Sequence, residues 1–210
     1  VSIMLANNEV GTIQPVSQLA QITHAHDVPF HTDAVQAVGH IPVNVQELDV
    51  DALSLSAHKF HGPRGTGALY LREGFSIPPL IQGGAQERGM RAGTENVAGA
   101  VGMATALEQE LNDQAARMER VAHLRDELIE RIVTTVPDVR ATGDPHADRR
   151  LPGIASLLCK DVDGELLVVL LDRAGVAAAT GSACSTGETG PSHVITALGI
   201  TDPRWARAAC

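Results

Sequence analysis

Apolar positions along this chain fall into short runs, then a long helical stripe, then short runs again. The opening Val-Ser-Ile-Met-Leu predicts a buried strand over 1–5, with the polar loop Ala6-Asn7-Asn8-Glu9 behind it. Residues 16–27 follow a helical period, with Leu19, Ile22 and His26 on one face. Val28–Thr32 predicts a second short strand that ends at Asp33. Asp51–Ser56 alternates apolar and polar as strands do, and Gly67–Leu71 does the same after a Gly-Pro-Arg-Gly turn. Strands alternating with helices predict an α/β layer with a mainly parallel sheet.

From Glu95 to about Val133 the pattern changes. Val97, Val101, Ala104, Leu107 and Leu111 recur every three or four residues, and Met118, Val121, Leu124, Leu128 and Ile132 resume the stripe after a polar stretch. That spacing predicts one long helix or two abutting ones, bridging two domains. Beyond it the chain predicts strands near Val139 and at Ile154–Cys159, a helix from Gly164 to Ala174, and a short strand before Gly181. The intervening Pro137–Leu151, with glycine, proline and mixed charges, reads as an exposed loop. This second alternation predicts a smaller α/β domain at the C-terminal end.

Composition narrows the function classes. A length of 210 residues is enough to bury a real core, and with aromatics at 2% that core is expected to be Ala, Val, Leu and Ile. A net charge of −9 with no basic run argues against binding a nucleic acid backbone. No apolar run approaches the roughly 20 residues of a membrane span, so no membrane partner is expected. Three cysteines, Cys159, Cys184 and Cys210, stand at no metal-ligand spacing. An odd count without a signal peptide points to free thiols and a cytoplasmic, reducing setting. His24 and His26, two apart on a helix, do not share a face, so no metal site is expected. Both ends read as internal to a longer protein.

Two residues carry candidate chemistry by placement. Lys59 ends an apolar strand after small neighbours, Ser56 and Ala57, and before the glycine-bearing loop Gly62-Pro63-Arg64-Gly65-Thr66-Gly67. An isolated lysine reads far more often as a solvent-facing strand end, but the small neighbours and the glycine-bearing loop favour a desolvated lysine, which can form a Schiff base. Asp33 stands one strand–helix–strand unit earlier, also at a strand end, where parallel sheets bind ligands. By itself it reads equally as a helix N-cap. Cys184 lies in a small, polar, glycine-rich stretch, Gly181 to Pro191, unlike Cys159 inside an apolar strand. A nucleophile that reaches a substrate and then hands its cargo on fits such a loop.

Four strings in register, Asn7-Asn8-Glu9, His31-Thr32-Asp33-Ala34-Val35-Gln36, Ser56-Ala57-His58-Lys59 and Gly181-Ser182-Ala183-Cys184-Ser185, resemble the cysteine desulfurase family. That family belongs to the class V aminotransferase-like enzymes dependent on pyridoxal 5′-phosphate (PLP), and the likeness runs over essentially the whole chain. The resemblance implies the aspartate aminotransferase-like fold. Residues 1–115 would be the C-terminal part of the PLP-binding large domain, and 116–210 the small domain with the cysteine loop. It implies that Lys59 is the Schiff-base lysine, that Asp33 partners the pyridine nitrogen and that Gln36 bonds the phenolic oxygen. Ser56 and His58 match phosphate ligands, and Thr94 matches a phosphate ligand delivered across a homodimer. Asn8 matches a contact to the substrate carboxylate. Cys184 matches the cysteine that takes sulfur from L-cysteine as a persulfide, leaving L-alanine, before an acceptor protein receives it. The loop length before Pro191-Ser192-His193-Val194 resembles the long-loop branch, linked to iron–sulfur cluster assembly and tRNA thiolation.

The chain departs from the family pattern at both ends. The family's first third, with a ring-stacking histidine and a Gly/Thr phosphate loop, is missing. The arginine that clamps the substrate carboxylate would follow Cys210. The competing readings are a selenocysteine lyase or other class V PLP enzyme, and an inactive fragment that only dimerises or binds a partner. A Cys184→Ala variant that lost sulfur transfer while keeping the cofactor separates desulfuration from its rivals.

Overall fold

The computed structural model describes residues 1–181 and 192–206. Along the chain run β1 (Ser2–Met4), α1 (Val16–His24), β2 (His31–Asp33), α2 (Val45–Leu48), β3 (Ala52–Ser56) and β4 (Gly67–Leu71). Next come α3 (Val97–Leu111), α4 (Gln114–Thr135), β5 (Val139–Ala141), β6 (Leu157–Cys159), α5 (Gly164–Arg173), α6 (His193–Ala197) and α7 (Pro203–Ala206). The chain divides into two compact units, one of Val1–Leu5 with Gln14–Ala115, the other of Ala6–Ile13 with the described residues from Ala116 on.

In the first unit the strands lie in the order β1-β2-β3-β4, the first three parallel and β4 antiparallel to β3. The mainly parallel sheet expected from the sequence is therefore present, with an antiparallel edge made by the turn between β3 and β4. Register pairs Ser2 with His31 and His31 with Ala52, then Met4 with Asp33 and Asp33 with Ser54. Because side chains alternate along a strand, Ser2, Met4, His31, Asp33, Ala52, Ser54 and Ser56 share one, mostly polar, face, while Ile3, Thr32 and Leu53 share the other. Thr32 and Leu53 are buried, and Thr32 Oγ1 spends its proton on the Ile3 carbonyl. The polar face stays half-open, and across it Ser2 Oγ, His31 and Ser54 Oγ form a hydrogen-bonded row of 2.7 and 3.2 Å. A parallel sheet normally buries apolar side chains on both faces, so a polar face marks a surface with other work to do.

The core of this unit joins Phe30 and Phe60 to Val16, Val50, Leu53 and several alanines. Two of the chain's three phenylalanines are thus core residues, which the low aromatic share concealed. Helix α1 stops at His24 and buries Val16 and Ala20, whereas Ile22 points to solvent. The face of Leu19, Ile22 and His26 is therefore not the buried one, and His26 lies beyond the helix end.

The stripe from Val97 breaks into two helices at Asn112-Asp113, where Asp113 takes a left-handed φ of 56°. Helix α3 packs through its small residues. A Cβ on Gly99 would stand 2.7 Å from Thr66 Oγ1, and one on Gly102 would stand 3.2 Å from Pro63. Its valine stripe is left outward, with Val97 and Val101 both more than half exposed.

In the second unit, β5 and β6 form an antiparallel pair, and Val10, Leu158 and Ile195 make a small core with Val194, Ile200 and Trp205 packed against it. On α4 the buried side chain is Arg125, whose Nη1 donates to the Leu151 carbonyl at 2.8 Å. Leu124 and Leu128, members of the apolar stripe, are half exposed. The stretch Pro137–Leu151 is less of a loop than the sequence implies. It contains β5 and buries Thr142 and Leu151, whose groups bond Ser156 Oγ and the Gly11 carbonyl at 2.7 Å each. No strand forms over 176–180, where none of the described strands supplies a ladder. No described helix is long and apolar enough to cross a membrane.

Candidate active site

The candidate site is built from the C-terminal ends of β2 and β3. Asp33 is the last residue of β2 and Ser56 the last of the parallel neighbour β3. Past Ser56 the chain turns through a 3-10 turn, Ala57–Phe60, in which Ala57 and Phe60 are buried and lock the two residues between them. His61 then adopts a left-handed φ of 64°, and the Gly62 N–H closes the turn on the Ala57 carbonyl at 2.8 Å. A Cβ on Gly62 would sit 2.8 Å from Ala57 Cβ, so only glycine permits this closure. The Ala57 N–H donates to the Thr66 carbonyl at 3.0 Å, tying the glycine-bearing loop to the same turn.

Lys59 therefore sits one 3-10 turn beyond the strand end, half-buried, and its amine has no partner among the described residues. Its backbone carbonyl accepts from His40 Nε2 at 3.0 Å; a carbonyl can only accept, so His40 carries its proton on Nε2. His58 is exposed and its Nδ1 shares a 2.8 Å hydrogen bond with Ser56 Oγ. Asp33 Oδ1 accepts the Val35 N–H at 2.9 Å, capping the following turn, while its other oxygen has no partner among the described residues. Gln36, in that turn, is half-buried with an equally unpartnered amide.

Sequence-predicted residues divide by unit. Asp33, Gln36, Ser56, His58 and Lys59 belong to the first unit and cluster at one end of its sheet. Thr94 also belongs to the first unit and is exposed; it does not cap α3, whose N-cap is Asn96 accepting from the Gly99 N–H. Asn8 is half-buried in the second unit, within a turn fixed by Asn7 Oδ1, which accepts the N–H groups of Glu9 and Val10. Cys184 and Cys210 lie outside the described residues. Cys159 is half-buried in β6, and burial pushes its thiol pKa up, so it stays protonated and unreactive at neutral pH. Sequence reasoning passed over Glu9 as a side chain, although it stands inside one of the four strings. Its carboxylate accepts Ser192 Oγ at 2.5 Å.

The family model for aminotransferase class-V matches residues 1–208. This chain belongs to that family. A cysteine desulfurase IscS of Dictyoglomus turgidum is 50% identical over 95% of the chain, and a cysteine desulfurase of Cereibacter sphaeroides is likewise 50% identical over 95%. Among solved structures, a NifS-like protein superposes with a TM-score of 0.88 at 39% identity over all of this chain and 53% of its own. DndA from Streptomyces lividans superposes with a TM-score of 0.78 at 34% identity, again over all of this chain and 58% of its own. The chain spans about half the length of the curated relatives it matches.

The family's cofactor is PLP. The donor set here fits that molecule: an unpartnered amine, a carboxylate with one free oxygen, an unpartnered amide and a hydroxyl–imidazole pair meet at one sheet end. An aldehyde, a pyridine nitrogen, a phenolic oxygen and a phosphate ask for those groups in turn.

Proposed function

We propose that this chain is the part of a cysteine desulfurase that holds PLP on Lys59 and presents Cys184 to take sulfur from L-cysteine. The observation that carries the reading is the sheet end at which Asp33, the last residue of β2 with one carboxylate oxygen unpartnered among the described residues, neighbours the turn after the parallel strand β3 that carries the Lys59 amine. Asp33 would hold the pyridine nitrogen, Gln36 the phenolic oxygen, and Ser56, His58 and Thr94 the phosphate, Thr94 from the second subunit of a homodimer. Asn8 would meet the substrate carboxylate. In sequence, 1–115 is assigned to the cofactor domain and 116–210 to the small domain, with the excursion Ala6–Ile13 grouped with the latter.

Bound PLP supplies an electron sink at the substrate's α-carbon. The chain's own residues do the rest. The Lys59 amine removes the α-proton of the bound cysteine, and the Asp33 carboxylate keeps a proton on the ring nitrogen. The Cys184 thiolate forms a bond to the substrate sulfur while the carbon–sulfur bond breaks, and the substrate's β-carbon takes up a proton. Enzyme thiol and L-cysteine thus become enzyme persulfide and L-alanine, with no outside oxidant or reductant. The persulfide sulfur passes to an acceptor protein of iron–sulfur assembly or tRNA thiolation, in the reducing environment that free cysteines favour.

Borohydride reduction with added PLP, followed by peptide mass mapping, tests this. A phosphopyridoxyl adduct confined to Lys59 and abolished in Lys59→Ala is expected. An adduct spread over other lysines, or none in the full-length protein, would sink the proposal. A second outcome concerns the rival substrate: turnover of selenocysteine retained in Cys184→Ala, with cysteine turnover lost, would favour the lyase reading for the selenium compound.

A further inference from the structure

We propose that His40 is a positioning residue for Lys59, holding the lysine backbone at a fixed place relative to Asp33 and so setting the span that PLP has to fit. The inference rests on the reading of Lys59 as the cofactor lysine. It concerns two stretches of the first unit that leave adjacent parallel strands, 33–40 from β2 and 54–60 from β3. The two are joined at both ends. Beside the strands the Ala34 N–H donates to the Ser54 carbonyl at 2.9 Å, and at the far end His40 Nε2 donates to the Lys59 carbonyl at 3.0 Å.

The first stretch is firm enough to carry this tie. Asp33 Oδ1 accepts the Val35 N–H, and the Ala37 and Val38 N–H groups both donate to the Ala34 carbonyl, at 2.9 and 3.0 Å. The His40 and Ile41 N–H groups then donate to the Ala37 carbonyl, at 3.0 and 2.9 Å. Ala34, Ala37 and Val38 are buried, so these successive turns rest on the core. Gly39 has a left-handed φ of 84° and passes so near Phe60 that its position leaves no room for a side chain. One stretch therefore carries Asp33 and Gln36, the groups assigned to the pyridine nitrogen and the phenolic oxygen, and ends in the imidazole that grips Lys59.

The PLP ring is rigid, so the amine that meets its aldehyde and the carboxylate that meets its nitrogen must stand at a matching separation. A lysine side chain is a flexible stem, and its backbone decides where that stem begins. The Gly62 and Ala57 N–H groups fasten the ends of the turn that carries Lys59, on the Ala57 and Thr66 carbonyls. The His40 bond acts on Lys59 itself and comes from the stretch that bears Asp33. An imidazole with a proton on Nε2 donates there whether or not Nδ1 is protonated, so the tie does not depend on the charge of His40.

The test uses the full-length protein, purified with PLP and then resolved from it, and compares two ligands by equilibrium dialysis: PLP and pyridoxamine 5′-phosphate. The second carries an amine in place of the aldehyde, so it can use the ring and phosphate contacts but cannot bond Lys59. Borohydride trapping at sub-saturating PLP reads the Lys59 adduct directly. His40→Ala and His40→Leu are each expected to bind PLP about 5- to 10-fold more weakly and to give correspondingly less adduct, with pyridoxamine 5′-phosphate affinity within about two-fold of wild type. His40→Gln, whose amide N–H can take the place of Nε2–H, should return PLP affinity to within about three-fold. His40→Leu fills the space without a donor and decides the matter if His40→Ala does not fold. Wild-type PLP affinity in His40→Leu overturns the tie, as does a Gln variant as impaired as Leu. An equal loss for both ligands overturns it too, since that marks a collapsed site and not a displaced lysine. A wild-type protein that gives no Lys59 adduct overturns the reading of Lys59, and the inference with it.

Discussion

Cys159 and Asp202 show how far the surroundings of a single residue reset its chemistry. The Cys159 thiol is pushed up by burial, so Cys159→Ala is expected to leave persulfide formation intact, measured by alkylation and mass mapping. Asp202 is held down to about 2, first by the Arg204 side chain, which donates through Nη2 at 2.7 Å, and then by the Arg204 N–H. In Arg204→Ala the carboxyl midpoint should climb toward about 3.9, read by an NMR pH titration; a midpoint still near 2 would contradict the assignment. That Asp33 closes a strand and that Lys59 follows one closely were legible in the sequence, because a short run with apolar residues precedes each. Glu9 was not, because its partner Ser192 is 183 residues away and no local pattern encodes such a pairing.

Elements hold together through contacts that periodicity does not display. At the N-terminal end of the sheet, His24 from α1 bonds Asp51 at 2.8 Å and Asp49 at 3.4 Å. Arg72 after β4 reaches Asp49 at 2.7 Å and Asp51 at 3.2 Å. Asp49 is lowered chiefly by its hydrogen bond to Arg72. For Asp51, burial pushes upward but is outweighed by the Phe30 N–H, His24 and Arg72 together. Both folded pKa values lie below their unfolded ones, so this stabilisation is present above about pH 4 and fades as pH falls through the lowered folded values. Arg72→Ala should cost about 1 kcal/mol at pH 7, given that part of the network is exposed, and that cost should shrink at pH 2 in urea melts. On α4, replacing buried Arg125 by Ala should cost about 1.5–3 kcal/mol, since it removes a charged donor from the Leu151 carbonyl. A cost below about 0.5 kcal/mol would mean that carbonyl finds water instead. On α3 and α4 the residues set closest to neighbouring segments are glycines and an arginine, which an apolar stripe does not display.

At the scale of the molecule, the chain leaves apolar surface outward. On α3, Val97, Val101 and Leu111 are 67%, 61% and 55% exposed, and α5 adds Leu166, Val169 and Leu170. Exposed apolar side chains grouped on one helix, as on α3, mark candidate interfaces. In the proposed homodimer the α3 stripe is the surface available for a second copy. Val101→Glu is accordingly expected to shift full-length protein toward monomer in sedimentation velocity and to lower PLP content if Thr94 serves the partner's site. An unchanged dimer would remove α3 from the interface.

By itself the sequence determined the alternation of strands and helices and the mainly parallel sheet, because short-range apolar spacing encodes them; the groups proposed to hold PLP came from the resemblance of four strings to a family. Only the tertiary structure decided which face of each helix is inside, since closest approach depends on glycines and on a partner's shape. It also decided that the turn at Ala6–Ile13 joins the second unit and brings Glu9 to Ser192. Such pairings arise from packing across the whole chain, and packing has no local signature.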